Sequence, residues 1–155
     1  MNETAEARSA FDRIVESNQY MTLATADADG LPWASPVWYA SSEGAEFVWV
    51  SDPAARHSRN LAVRPRLAIA IFDSHQAPGT GRGIYIAAHA ELVADEHLDR
   101  AIKIFSDKSV ANGDEPWTRS DILPPSRLRL YRAVADERFI LSTGKDVRIR
   151  VPAEA

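Results

Sequence analysis

The stretch Phe47-Val48-Trp49-Val50-Ser51-Asp52-Pro53-Ala54-Ala55-Arg56-His57-Ser58-Arg59-Asn60-Leu61 decides how this chain is read. Its first five residues predict a strand of large side chains that ends at Ser51. Asp52 is a residue type that caps helices, and Pro53 suits a first helical turn, so the strand is expected to pass straight into a helix. The leading N–H groups of such a helix have no partner within it, and the helix dipole adds partial positive charge there. Arg56, His57 and Arg59 follow within about two turns, and Ser51 offers a hydroxyl at the mouth. Together these parts make a cradle for a phosphate. The same residues also describe a solvated helix face with three basic side chains, and in isolation that plainer reading carries more weight.

Length and composition narrow the setting. A chain of 155 residues, 45% apolar and 26% charged, is expected to form one globular domain over residues 1–155. A formal charge of -4 gives no general attraction to nucleic acid or to an anionic membrane. The absence of cysteine excludes disulfides, thiolate catalysis and Cys-ligated metals, and suits a reducing compartment. Met1 to Ser9 lacks the apolar core of a signal peptide, and no stretch approaches the ~18 apolar residues of a membrane span. A cytoplasmic protein is expected.

Outward from the junction, the pattern is mostly β. Ala7, Ala10, Phe11, Ile14 and Val15 recur at helical spacing between Thr4 and Asn18. Tyr20–Ala26 and Leu31–Ala40 read as a hairpin about Asp27-Ala28-Asp29-Gly30, with Pro36 marking an edge or bulge. After a turn at Ser41-Ser42-Glu43-Gly44, Ala45–Ser51 adds the third strand of a meander. The junction helix should end before Pro65, and the nearly all-apolar Arg66–Phe72 should be a deeply buried strand. A loop then leads to the longest strand, Gly83–Val93. Asp95 is placed to cap a second helix through Phe105, and a turn of helix is expected near Ser120–Leu123. Arg127–Val134 alternates as a strand, turns at Ala135-Asp136-Glu137-Arg138 into Phe139–Leu141, and Val147–Val151 supplies a last short strand. The expected architecture is mainly β with inserted helices: six or seven antiparallel strands closed into a Greek-key barrel.

Several chemistries find no support. Gly79-Thr80-Gly81-Arg82-Gly83 precedes a strand, whereas a dinucleotide fingerprint must open a helix. His57, His75, His89 and His97 show no metal-ligand spacing, and no Gly-x-Ser-x-Gly elbow occurs. No catalytic acid or base is assigned.

The ordered set Leu23-Ala24-Thr25-Ala26, Gly30-Leu31-Pro32, Ser35-Pro36-Val37-Trp38-Tyr39, Trp49-Val50-Ser51-Asp52, Arg56 to Leu61, Arg64-Pro65 and Gly83 to Leu92 resembles the pyridoxamine 5'-phosphate oxidase-like, FMN-binding split-barrel family. The resemblance runs over roughly residues 10 to 94, with an echo in Leu128 to Leu141. It implies a homodimer of split β-barrels with flavin sites at the interface, acting as an oxidoreductase on a small organic molecule. By the same resemblance the flavin ring lies along Ser35, Pro36, Val37 and Trp38. Its phosphate is held by Val50, Ser51, Arg56 and His57, with Arg59 and Asn60 close by. His57 stands where many relatives have lysine, so a group that titrates near neutrality replaces a permanent cation. Gly83 falls where the family has a flavin-touching glutamine, a contact that is lost here or made by Gln76. Tyr131 falls where many relatives carry an aromatic residue reaching across the dimer. Trp33, Trp38, Tyr39, Tyr85 and Trp117 are candidates for a substrate face or for core packing. A deazaflavin coenzyme in place of FMN, or a non-enzymatic flavin- or haem-binding role using His57, His75 or His89, remain open alternatives.

Overall fold

The computed structural model describes residues 3–153. In chain order it contains α1 (Glu3–Ser17), β1 (Tyr20–Ala26), β2 (Pro32–Trp38), β3 (Ala40–Ser42), β4 (Glu46–Ser51), α2 (Arg56–Val63), β5 (Arg66–Phe72), β6 (Gly83–Leu92), α3 (Asp95–Ala111), α4 (Arg119–Ile122), β7 (Arg129–Leu141) and β8 (Arg148–Arg150). The strands form one antiparallel sheet in the order β2-β1-β5-β6-β7-β4-β3, with β8 added beside β7. The sheet curls into a split barrel, with eight strands where six or seven were expected.

The hairpin of β1 and β2 forms as expected. The Asp27 carboxylate accepts the N–H groups of Asp29 and Leu31 at 2.9 and 3.0 Å. Gly30 closes the turn at φ +83°, a conformation that favours glycine. The expected meander does not form, because the run from Leu31 to Ala40 breaks at Tyr39. That ring is fully buried against Phe47, and its hydroxyl donates to the Val15 carbonyl of α1 at 2.6 Å. Anchoring Tyr39 inward sends the chain across the barrel mouth. β4 consequently pairs with β7 and not with β2.

Two further expectations are corrected. β7 runs unbroken through Ala135–Arg138, where a turn was expected. Between the Ala87–Glu137 and Ala88–Ala135 pairs, Asp136 is the extra residue of a β-bulge, which bends the strand without ending it. β5 is buried only on the side of Leu67, Ile69 and Ile71, while Ala68 and Phe72 face outward. Its alanines and its terminal Phe read as core in the sequence but stand on the outer face.

The main core fills the inside of the curl, where Phe11 of α1 meets Leu23, Ile69, Ile86 and Trp49. A second cluster, including Val48, Leu98, Phe105 and Leu130, packs α3 against the β4 side of the sheet. No helix among the described residues is long and apolar enough to cross a membrane. Phe11 has no exposed surface and Val63 is 60% exposed. In urea denaturation Phe11→Ala is therefore expected to lower stability by about 3–5 kcal/mol, and Val63→Ala to stay within about 0.5 kcal/mol. Comparable losses would place α1 outside the core.

Candidate functional site

The sheet's two ends approach each other where β2 faces the end of β4, and α2 begins at that seam. The junction differs from expectation in detail. Asp52 does not cap the helix: its Oδ1 accepts the Ala54 N–H at 2.8 Å, and its backbone carbonyl accepts the Ala55 N–H at 2.9 Å. Pro53 therefore lies in a tight turn, and α2 starts later, at Arg56, after Ala55 as N-cap. The short Asp52 side chain is occupied within its own loop, which delays the helix by one turn. Asp95 likewise opens α3 as its first residue, with Ala94 at the cap, and its carboxylate accepts from Arg119 at 2.9 Å.

The delay places the His57 ring between the two strands. Its Nδ1 lies 3.1 Å from Ser35 Oγ of β2, and its Nε2 lies 2.8 Å from Ser51 Oγ of β4. One imidazole thus bridges the seam, accepting one hydroxyl proton and donating its own ring N–H to the other serine. Burial holds the His57 pKa below its usual value, so the ring is neutral at pH 7. Ser58, the next residue, is buried, and its hydroxyl has no protein partner.

A cleft of 770 Å³ opens from this bridge. Tyr20, Pro36, Val37, Trp38 and Val50 line it from the sheet, and Phe105, Pro116 and Trp117 line it from α3 and the loop that follows. Three aromatic rings meet edge to face, Trp38 to Phe105 at 4.8 Å and Phe105 to Trp117 at 5.1 Å. Asp114, Glu115 and Asp121 complete the lining. The loop that carries Trp117 is tied to α3, since its N–H donates to Ser106 Oγ at 2.9 Å and Ser109 Oγ donates to the Glu115 carbonyl at 2.8 Å.

Of the residues singled out in the sequence, Pro36, Val37, Trp38, Val50, Ser51 and His57 line this cleft, and Ser35 adjoins it through His57. Arg56 lies outside, its guanidinium 4.4 Å from the centre of the Trp33 ring. Arg59 is exposed and donates to the Ala54 carbonyl. Asn60 is buried and donates to Thr25 Oγ1 at 3.0 Å, which ties α2 to β1. Gly83 borders a separate cleft at the far end of β5 and β6. There Gln76 Oε1 accepts the Arg82 N–H at 3.0 Å. Tyr131 is buried and stacks on Trp49 at 5.7 Å. Among the aromatic candidates, Trp38 and Trp117 reach the cleft, Tyr39 is core, and Tyr85 borders the far cleft. The sequence reading missed Phe105 and the Asp114–Glu115 pair, because helical periodicity assigns Phe105 to the core and a charged loop carries no positional signal.

A split antiparallel barrel with a helix N-terminus at its seam defines the class of protein. Within that class, the chain belongs to the pyridoxamine 5'-phosphate oxidase family, whose model matches residues 7–128. No curated protein sequence matches the chain. Similar solved structures include a haem-binding protein from Mycobacterium smegmatis, with TM-score 0.70 and 24% identity over 94% of this chain and 57% of that one. HutZ, the haem storage protein of Vibrio cholerae, has TM-score 0.67 and 21% identity over 85% of this chain and 92% of its own. An FAD-binding protein from Mesorhizobium loti has TM-score 0.63 and 20% identity over 85% and 91% of the two chains. This chain therefore spans little more than half of the mycobacterial protein, and at such identities the likeness is one of fold.

The His57 pKa sets a sign for stability. A depressed pKa means that the folded protein binds this proton less readily than the unfolded chain. The contribution is present above the ordinary value of 6.5 and is lost as pH falls below it. Urea midpoints measured between pH 7.5 and 5.5 are expected to fall more steeply for the native protein than for His57→Gln. Parallel slopes would mean that the ring is not held neutral.

Proposed function

We propose that this protein is a homodimeric, FMN-binding oxidoreductase that acts on a small organic substrate. The observation that carries the reading is the cleft that starts at the Ser35–His57–Ser51 bridge and widens into an apolar, aromatic space. Ligand sites of about 300–1,000 Å³ with a few placed polar groups hold cofactors of this size. The residues present fit such a group. At the polar end, the Ser51 hydroxyl, the His57 ring and the first N–H groups of α2 would hold a phosphate. Arg56 and Arg59 are exposed beside them and would supply the lasting positive charge. Pro36, Val37 and Trp38 would border the ring. A bound flavin supplies the hydride or electron transfer, so the protein's own task is to orient, to exclude water and to set local charge. A deazaflavin coenzyme would meet the same features, and parallel titration separates the two.

The homodimer is supported by the outer face of the sheet. The paired residues Ala34–Ala24, Ala24–Ala68 and Ala68–Ala87 place four alanines in one row across β2, β1, β5 and β6. Three of the four are exposed, and Phe72 beside them is 57% exposed. An apolar face made of small residues suits a second copy of the same sheet. Ala68→Glu is expected to give a monomer in analytical ultracentrifugation, while Val110→Glu, on the exposed side of α3, leaves the mass unchanged; an unchanged mass for Ala68→Glu assigns the face elsewhere.

A haem reading is favoured by one other observation. His89 Nδ1 lies 3.0 Å from Asp136 Oδ1, which leaves Nε2 as the open ring nitrogen on the outer face of β6. Purified protein is expected to bind FMN with quenching of flavin fluorescence and to give no Soret band with haem; the opposite pair of results would exchange the two readings. Arg56→Glu is expected to weaken FMN binding at least ~10-fold, and Arg13→Glu to leave it unchanged. Equal effects would move the phosphate away from α2. FMN affinity is expected to stay level from pH 7 to 8, because His57 is neutral there; a steep fall over that range would make it a cation in the complex.

A further inference from the structure

We infer that the part of the cleft beyond the His57 bridge is a subsite for a planar organic cation. This names the substrate class of the proposed flavin site, and it rests on that reading for the role of the bound group though not for its binding. The lining of this part is aromatic: Trp38, Phe105 and Trp117 form one contiguous series of rings, and Tyr20 adds a fourth. Trp38, Phe105 and Trp117 succeed one another at interplanar angles of 86° and 82°, so ring faces and ring edges alternate along the wall. Aromatic faces carry negative potential and attract a cation, most strongly where the faces belong to tryptophan.

The charged residues point the same way. Among the described residues no lysine or arginine lines the cleft, whereas Asp114, Glu115 and Asp121 do. Asp121 is occupied by Thr118, whose N–H and hydroxyl both donate to its Oδ2. Asp114 and Glu115 stand exposed at the rim, where they supply counter-charge without having been desolvated. The ammonium of Lys108 stands over the Trp38 ring, 5.1 Å from its centre, and donates to the Tyr39 carbonyl at 2.6 Å and to the Asn18 carbonyl at 3.1 Å. It does not line the cleft. An anionic substrate would meet carboxylates with no opposing charge at this end, so the two ends of the cleft differ in sign: phosphate at α2, cation at Trp117.

The wall is also held in place. The Ser106 and Ser109 hydroxyls tether the Trp117 loop to α3, and Arg119 donates to Asp99 at 2.7 Å and Asp95 at 2.9 Å, which fastens α4 to the same helix. A subsite so tethered recognises shape before a ligand arrives.

The test is calorimetric titration of the full chain with N-methylquinolinium and with quinoline-2-carboxylate, planar probes of similar size and opposite charge, with and without saturating FMN. The cation is expected to bind at least ~10-fold more tightly than the anion. Trp117→Ala is expected to weaken the cation about 10-fold, Asp114→Asn with Glu115→Gln about 5-fold, and Trp117→Phe less than about 3-fold. Equal binding of the two probes, or no binding of either, overturns the inference. Cation binding without FMN binding sustains the subsite and removes the flavin reading, while FMN binding without cation preference does the reverse.

Discussion

The His57 imidazole, held between Ser35 and Ser51, is the contact on which the cleft depends. The sheet of this protein has two free ends, and the chain passes between them at Tyr39. A curled sheet with open ends exposes unpaired backbone along both edges. Here one end is joined to the other by a side chain instead of a ladder, since each hydroxyl meets one ring nitrogen of the same histidine. That choice leaves a seam wide enough for a ligand, where a continuous row of strand hydrogen bonds would have closed the barrel. A lysine at this position would donate from a single nitrogen and would bring a full charge into a buried place, whereas a neutral imidazole spans two acceptor-donor partners on opposite sides.

The electrostatic layout follows from how each cation is occupied. Arg56 rests on Trp33, Arg127 pairs with Asp52 at 3.0 Å, and Lys108 is held by two carbonyls over the Trp38 ring. Burial lowers the Lys108 pKa to about 8, so this clamp is held by an ammonium that gives up its proton within mildly alkaline conditions. Positive charge is consequently kept to the outside of the seam and the helix start. The cleft interior is left to aromatic rings, hydroxyls and rim carboxylates. Under the proposed reading, this layout would let the same site hold a phosphate at one end and take a different chemistry at the other.

Much of this architecture was legible in the sequence, and the failures share a cause. The helix Glu3–Ser17, the Asp27–Gly30 turn, the long strand from Gly83 and the end of α2 at Val63 follow from local signals of period, turn chemistry and proline. The errors concern contacts distant in sequence. Nothing near Tyr39 indicates that its hydroxyl will find Val15, yet that bond redirects the chain and replaces the meander. The polar run Ala135–Arg138 has turn composition, but the pairing of β7 with β6 across it turns a would-be loop into a bulge. At the site, order along the chain brought out Pro36 to Trp38, Ser51 and His57, because a strand and a helix start lie on either side of one turn. It gave no means to see that Arg56 would rest on Trp33 and Arg59 on the Ala54 carbonyl, beside the cleft and not in its lining, or that Phe105 would border the cleft as well as the core.

Hydrogen–deuterium exchange with and without FMN would locate a flavin phosphate and ring at the seam bridged by His57. Added protection is expected in two separate segments at once, residues 51–60 at the start of α2 and residues 35–38 of β2, with little change across the 73–82 loop. Protection confined to the 73–82 loop and the neighbouring end of β6, with the His57 segment unchanged, would contradict that placement.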